Sequence, residues 1–139
     1  ATFKLRFEKA QKNAQILAQA LNQNSKVKKV LYPNLSEHPD ISLAKKLLKG
    51  NGCNMVSFEI GDNRSDANKF IENIDGVAFA PTLGDIGTTI SHPGSSSHRY
   101  LNSDARKALG ITEGFFRVSV GLEDPDELVG SFERALDSI

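Results

Sequence analysis

The chain has 139 residues, 39% of them hydrophobic and 24% charged, and its 17 basic and 17 acidic side chains cancel. That length fits one domain able to bury a core without disulfides or metals, and a single cysteine, Cys53, excludes an intrachain disulfide. There is no basic stripe of the kind that binds nucleic acid, and no apolar stretch near the ~20 residues of a membrane helix.

Residues 2–24 read as a helix. Phe3, Phe7, Ala10, Ala14, Leu17 and Leu21 recur at three- and four-residue spacing, with Thr2 at the N-cap position. The chain begins almost inside this helix, so it is expected to be cut from a longer protein at or near this point. Residues 28–32 form a short strand stopped by Pro33. Ser36 or Asp40 is placed to cap a helix over residues 41–48, closed by Gly50 and Gly52. Residues 54–60 alternate as a strand does, and residues 65–73 form a helix capped by Ser65. Residues 77–80 form a strand ended by Pro81. The glycine-marked bend at 82–87 leads into a strand at 88–91, stopped by His92-Pro93-Gly94. A polar serine loop follows, then a helix capped by Ser103 and stopped by Gly110. Residues 115–120 have strand composition, and Asp124 with Pro125 opens a last helix striped by Leu128, Val129, Phe132, Ala135 and Leu136.

About four short strands and five helices result, with some neighbouring strands joined directly. That pattern predicts an α+β fold in which helices cover one face of a mostly antiparallel sheet.

Candidate chemistry is sparse. Cys53 has no nearby histidine and reads as a small, partly buried residue. His92 and His98, six residues apart with His38 distant, do not make a zinc spacing. Gly84-Asp85-Ile86-Gly87 lacks the following Lys-Ser/Thr of a phosphate loop. The acidic run from Glu123 to Glu127 reads as the charged start of the last helix. Arg117 stands apart. It lies mid-strand between apolar residues, and a guanidinium is costly to bury without an anion. Two readings stay open on residue type alone: a structural pair with an internal carboxylate, or a fork awaiting an anionic ligand, for which a carboxylate has the right geometry.

Several stretches together resemble one family. They are Val30-Leu-Tyr-Pro33, His38-Pro39, Leu43-Ala-Lys45, Gly50-Asn-Gly52 and Val56-Ser-Phe-Glu59, then Leu83-Gly-Asp85, Thr88, His92-Pro93 and Ser97-His98, and finally Gly110-Ile-Thr112 with Phe116-Arg117-Val-Ser119-Val-Gly121-Leu-Glu123-Asp124. Their order and spacing resemble the C-terminal domain of the pyridoxal-phosphate enzymes of cysteine and methionine metabolism: cystathionine γ-synthase, the cystathionine and methionine lyases, and O-acetylhomoserine sulfhydrylase. The match covers essentially the whole chain.

The resemblance implies the small domain of the aspartate-aminotransferase-like architecture, fold type I. It implies that Arg117, in the family's Arg-x-Ser-x-Gly motif, grips the α-carboxylate of an amino-acid substrate. It assigns a second carboxylate contact to Thr82, where the family's Ser-Leu-Gly reads Thr82-Leu83-Gly84; threonine keeps the hydroxyl but stiffens χ1. The cofactor lysine of the family lies in a large N-terminal domain, in a Ser/Thr-x-Thr-Lys context that none of the eleven lysines here has. The expectation is therefore residues 1–139 as the C-terminal domain of a cytoplasmic, tetrameric enzyme acting on cystathionine, methionine, cysteine or activated homoserine. By itself the chain is expected to bind no pyridoxal phosphate covalently and to turn over no substrate, with no catalytic, cofactor-binding or metal residue of its own. Its partners would be the amino-acid substrate, the large domain and other subunits, with no nucleic acid or membrane. The alternative is a stand-alone, non-catalytic binding or regulatory module of the same fold.

Overall fold

A computed structural model describes all 139 residues. Its elements run α1 (Phe3–Gln23), β1 (Lys29–Leu31), α2 (Ile41–Leu48), β2 (Met55–Glu59), α3 (Arg64–Asn73), β3 (Ala78–Phe79), β4 (Thr89–Ser91), α4 (Ser103–Ala108), β5 (Phe115–Ser119) and α5 (Pro125–Asp137). The α+β expectation holds, with five strands rather than about four. They form one sheet in the order β1-β2-β5-β4-β3, antiparallel except where β3 runs parallel to β4.

The central strand is β5. Phe116, Val118 and Val120 are fully buried on the face covered by helices, in one core with Leu17 of α1, Phe70 of α3 and Phe132 of α5. Phe58 of β2 stacks on Phe116, with ring centroids 5.3 Å apart, and meets Phe70 and Phe132 edge-on. Such tilted and offset contacts suit the ring quadrupoles and add to the burial of large apolar area. Period-2 alternation then sends Phe115, Arg117 and Ser119 to the other face.

Three local expectations are corrected. The N-cap of α3 is Asn63, whose side chain accepts from the amides of Ser65 and Asp66, so Ser65 lies inside the helix. The cap of α4 is Asn102, accepting from the Ala105 amide, and Ser103 is the first helical residue. In both places Asn precedes Ser, and its carbonyl arm reaches the orphan amides. Phe3 and Phe7 continue the apolar stripe of α1 but extend past the sheet. They stack on each other at 5.6 Å and 12°, and Phe3 stays 69% exposed. At the C-terminus the sequence reading holds, with Asp124 accepting from the amides of Asp126 and Glu127 ahead of Pro125.

Candidate substrate-carboxylate site

Arg117 lies at the middle of β5, opposite Ser57 on one side and Ser91 on the other. It is half-buried rather than buried, because no helix covers this face and its cross-strand neighbours are short. No carboxylate pairs with it; the ion pairs of the chain involve Lys4, Arg64, Arg106 and Lys107. Its one hydrogen bond within the chain is a long one, 3.5 Å from Nη2 to the carbonyl of Pro81. A guanidinium carries five donors, so nearly all of its hydrogen-bonding capacity is uncommitted.

The carbonyl that meets Arg117, that of Pro81, immediately precedes the bend predicted at 82–87, and the bend is stitched onto β4, β5 and the turn after β5. Thr89 Oγ1 donates to the Thr82 carbonyl at 3.0 Å, the Gly84 amide donates to Ser119 Oγ at 3.0 Å, and the Leu122 amide donates to the Ile86 carbonyl at 2.8 Å. Arg117 and Thr82 are thereby brought into one neighbourhood, since Thr82 follows the residue whose carbonyl the guanidinium touches. The Thr82 side chain is exposed, and its hydroxyl has no partner within the chain.

Where β5 ends, the bend comes so close that only glycine fits. A Cβ on Gly121 would lie 2.4 Å from the Ile86 carbonyl oxygen, 2.6 Å from the carbonyl carbon of Gly87 and 2.7 Å from the Thr88 amide nitrogen. These are backbone atoms that cannot rotate aside. Gly121→Ala is expected to displace residues 86–88 and to destabilise the chain by about 1–3 kcal/mol, the usual cost of overpacking; urea unfolding and a crystal structure of the variant check both.

Some residues that organise this region were given no role of this kind from the sequence. Glu123, read as part of a charged helix start, turns away from α5: its carboxylate accepts from the Thr88 amide and, at 2.8 Å, from Thr88 Oγ1. Thr88 Oγ1 in turn accepts from the Gly121 amide at 2.9 Å. Asn13 of α1 is 1% exposed and donates to the carbonyls of Gly121 (3.1 Å) and Glu123 (2.8 Å), while its Oδ1 has no partner. A buried amide oxygen left unpaired costs about 1–3 kcal/mol.

His92, read in the sequence as a strand stop and set aside as a metal ligand, is a buried clip. Nε2 donates to the Glu113 carbonyl and Nδ1 accepts from Ser95 Oγ, both at 2.6 Å, and the ring leans on Phe116 at 5.0 Å. Burial holds this imidazole below its usual range. Arg64 (2.9 Å) and Arg106 (2.6 Å) flank Glu113, and the hydrogen bond from Arg64, the larger influence, keeps its carboxyl below the ordinary carboxylate range.

The clefts beside the bend do not fit a Schiff-base cofactor. One of about 220 Å³ lies between the first turns of α1 and Gly84–Ile86; another of the same size lies between Pro81 and Ser95. Neither is lined by a lysine.

Comparison with known proteins gives the family of the chain. Residues 1–137 match the family described as Cys/Met metabolism PLP-dependent enzyme. The chain is 38% identical over 138 residues to an L-methionine gamma-lyase of Fusobacterium nucleatum, covering 99% of this chain and 35% of that protein. It is 37% identical over 138 residues to the cystathionine beta-lyase MetC of Bacillus subtilis, with the same coverage. A Campylobacter jejuni structure described as an O-acetylhomoserine (thiol)-lyase, solved with N'-pyridoxyl-lysine-5'-monophosphate, superposes with a TM-score of 0.90 at 32% identity. That match covers 99% of this chain and 32% of the other. The chain thus spans about a third of the length of the curated relatives it matches. It belongs to the pyridoxal-phosphate-dependent enzyme family of cysteine and methionine metabolism.

Proposed function

We propose that residues 1–139 are the C-terminal small domain of a transsulfuration-type enzyme, and that their task is to hold the α-carboxylate of an amino-acid substrate. The observation that carries this is Arg117: a half-buried guanidinium on the uncovered face of the central strand, without an acid partner. A planar fork with free donors takes a carboxylate bidentately. The Thr82 hydroxyl, one residue beyond the Pro81 carbonyl, supplies the second contact. Two contacts on one carboxylate fix the rotation of the substrate, and with it the direction of its Cα–H bond, before any bond breaks.

Pyridoxal phosphate would be held by the other two thirds of the enzyme, since no lysine lines the clefts flanking the bend. The reactions in view are β- or γ-elimination or replacement on cystathionine, methionine, cysteine or an activated homoserine, in a cytoplasmic tetramer. Phe3, Leu5, Leu43 and Leu47 are each more than half exposed and are available for contact with the large domain. The 139-residue chain, incubated with pyridoxal phosphate and reduced with borohydride, is expected to acquire no site-specific pyridoxyl group on mass spectrometry. A stoichiometric adduct on one lysine would overturn the assignment of the cofactor to the missing part.

A further inference from the structure

We propose that Thr88 and Glu123, backed by Asn13, are positioning residues for the substrate carboxylate; this rests on the reading of Arg117 and Thr82 above. Thr82 is exposed and sits on a bend with no regular structure, so its position relative to Arg117 depends on what fixes the ends of that bend. The near end is held at Pro81 and Thr82 by β5 and β4. The far end is held by the Leu122 amide on the Ile86 carbonyl at 2.8 Å and by one side-chain relay. Thr88 is 3% exposed; it receives the Gly121 amide and gives its hydroxyl proton to Glu123 at 2.8 Å, while its own amide goes to the same carboxylate.

Glu123 can do this only because the turn after β5 is itself pinned. Asn13 spends both amide hydrogens on that turn, at Gly121 and Glu123. The unpaired Oδ1 of Asn13 is explained the same way. An apolar residue would fill the space without an orphan acceptor, but it would release the turn. The relay therefore runs from α1 through the β5–α5 turn to the bend, and returns to Gly121, two residues past the strand that carries Arg117. It touches no substrate. It sets the span between the two carboxylate contacts, and displacements of about an ångström at such a site cost up to ~100-fold.

The test uses the full-length holoenzyme and two ligands that differ only in the group being read, norleucine and norleucinamide. Their dissociation constants are measured by calorimetry, and the acid-over-amide preference reports the carboxylate grip within the folded protein, whatever the variant does to stability. Thr88→Val, which keeps shape and removes the hydroxyl, is expected to lower that preference about tenfold. Thr88→Ser is expected to restore it, and Glu123→Gln, which leaves Thr88 Oγ1 facing an amide, to lower it as Thr88→Val does. If Thr88→Val does not fold, Glu123→Gln carries the comparison. Unchanged preference in both variants, with Arg117→Ala losing it, would overturn the positioning role and leave the Arg117 reading standing. An equal loss in Thr88→Ser and Thr88→Val would overturn it as well, since the hydroxyl would not be the operative group. Preference retained in Arg117→Ala would overturn the Arg117 reading and this inference with it.

Discussion

Replacing Arg117 by alanine in the full-length enzyme is expected to raise KM for the amino-acid substrate by an amount equivalent to about 2–5 kcal/mol, the range for losing one partner of a desolvated charge pair. The expectation follows from what Arg117 lacks. In the unliganded chain it makes one 3.5 Å hydrogen bond and no ion pair. Its removal therefore leaves the folded chain almost as stable as before, within about 0.5 kcal/mol, as for surface substitutions away from special features. A structural arginine behaves in the opposite way, because its deletion strands a buried acid. Steady-state kinetics and urea unfolding of the same variant separate the two. Arg117→Lys keeps the charge but not the planar fork, so it recovers only part of the binding. An unchanged KM in Arg117→Ala, or a large loss of stability with no effect on KM, removes the residue from the role.

Phe116→Ala has the largest expected effect on stability, about 3–5 kcal/mol, a lowering of the melting point by roughly 10–20 °C for a chain of this size. Phe116 is fully buried, stacked on Phe58 at 5.3 Å, and within 4.9 Å of Phe70 and 5.0 Å of His92. Rings from a neighbouring strand, a helix and a loop meet on it, so the space left cannot close by moving one element. Phe3→Ala is the control, since Phe3 is 69% exposed in this chain and costs little there. Thermal unfolding of the 139-residue chain reads both, and a loss near 1 kcal/mol for Phe116→Ala would show that the aromatic cluster does not organise the sheet. Phe116 and Arg117 are chain neighbours on opposite faces of β5. One is expected to govern folding and the other binding, and the separation of the two effects tests the strand's alternation directly.

Much of this was open to reading in the residues themselves. Alternation in 115–120 placed Arg117 and Phe116 on opposite faces, and Asp124-Pro125 marked the start of α5. These are local signals: a two-residue period, a cap, a proline with its φ already helical. The spaced motifs carried the family, because each one constrains a turn or a strand end independently of the others. The caps of α3 and α4 were misplaced by one or two residues, since Asn and Ser are near-equal cappers and only the backbone decides which turns its side chain back.

The sequence by itself determined that helices would cover one side of an antiparallel sheet, and that one arginine would stand mid-strand with an unexplained charge. Only the tertiary structure decided that this arginine faces the uncovered side between Ser57 and Ser91, that no carboxylate meets it, and that Phe3 and Phe7 lie outside the core. It also decided that Glu123 serves Thr88 rather than α5, through partners 35 residues apart, and that Asn13 reaches across 108 residues to Gly121. The physical reason is range. Periodicity and capping act within a few residues, whereas a hydrogen bond between distant segments exists only once the chain has folded and brought its donor and acceptor together.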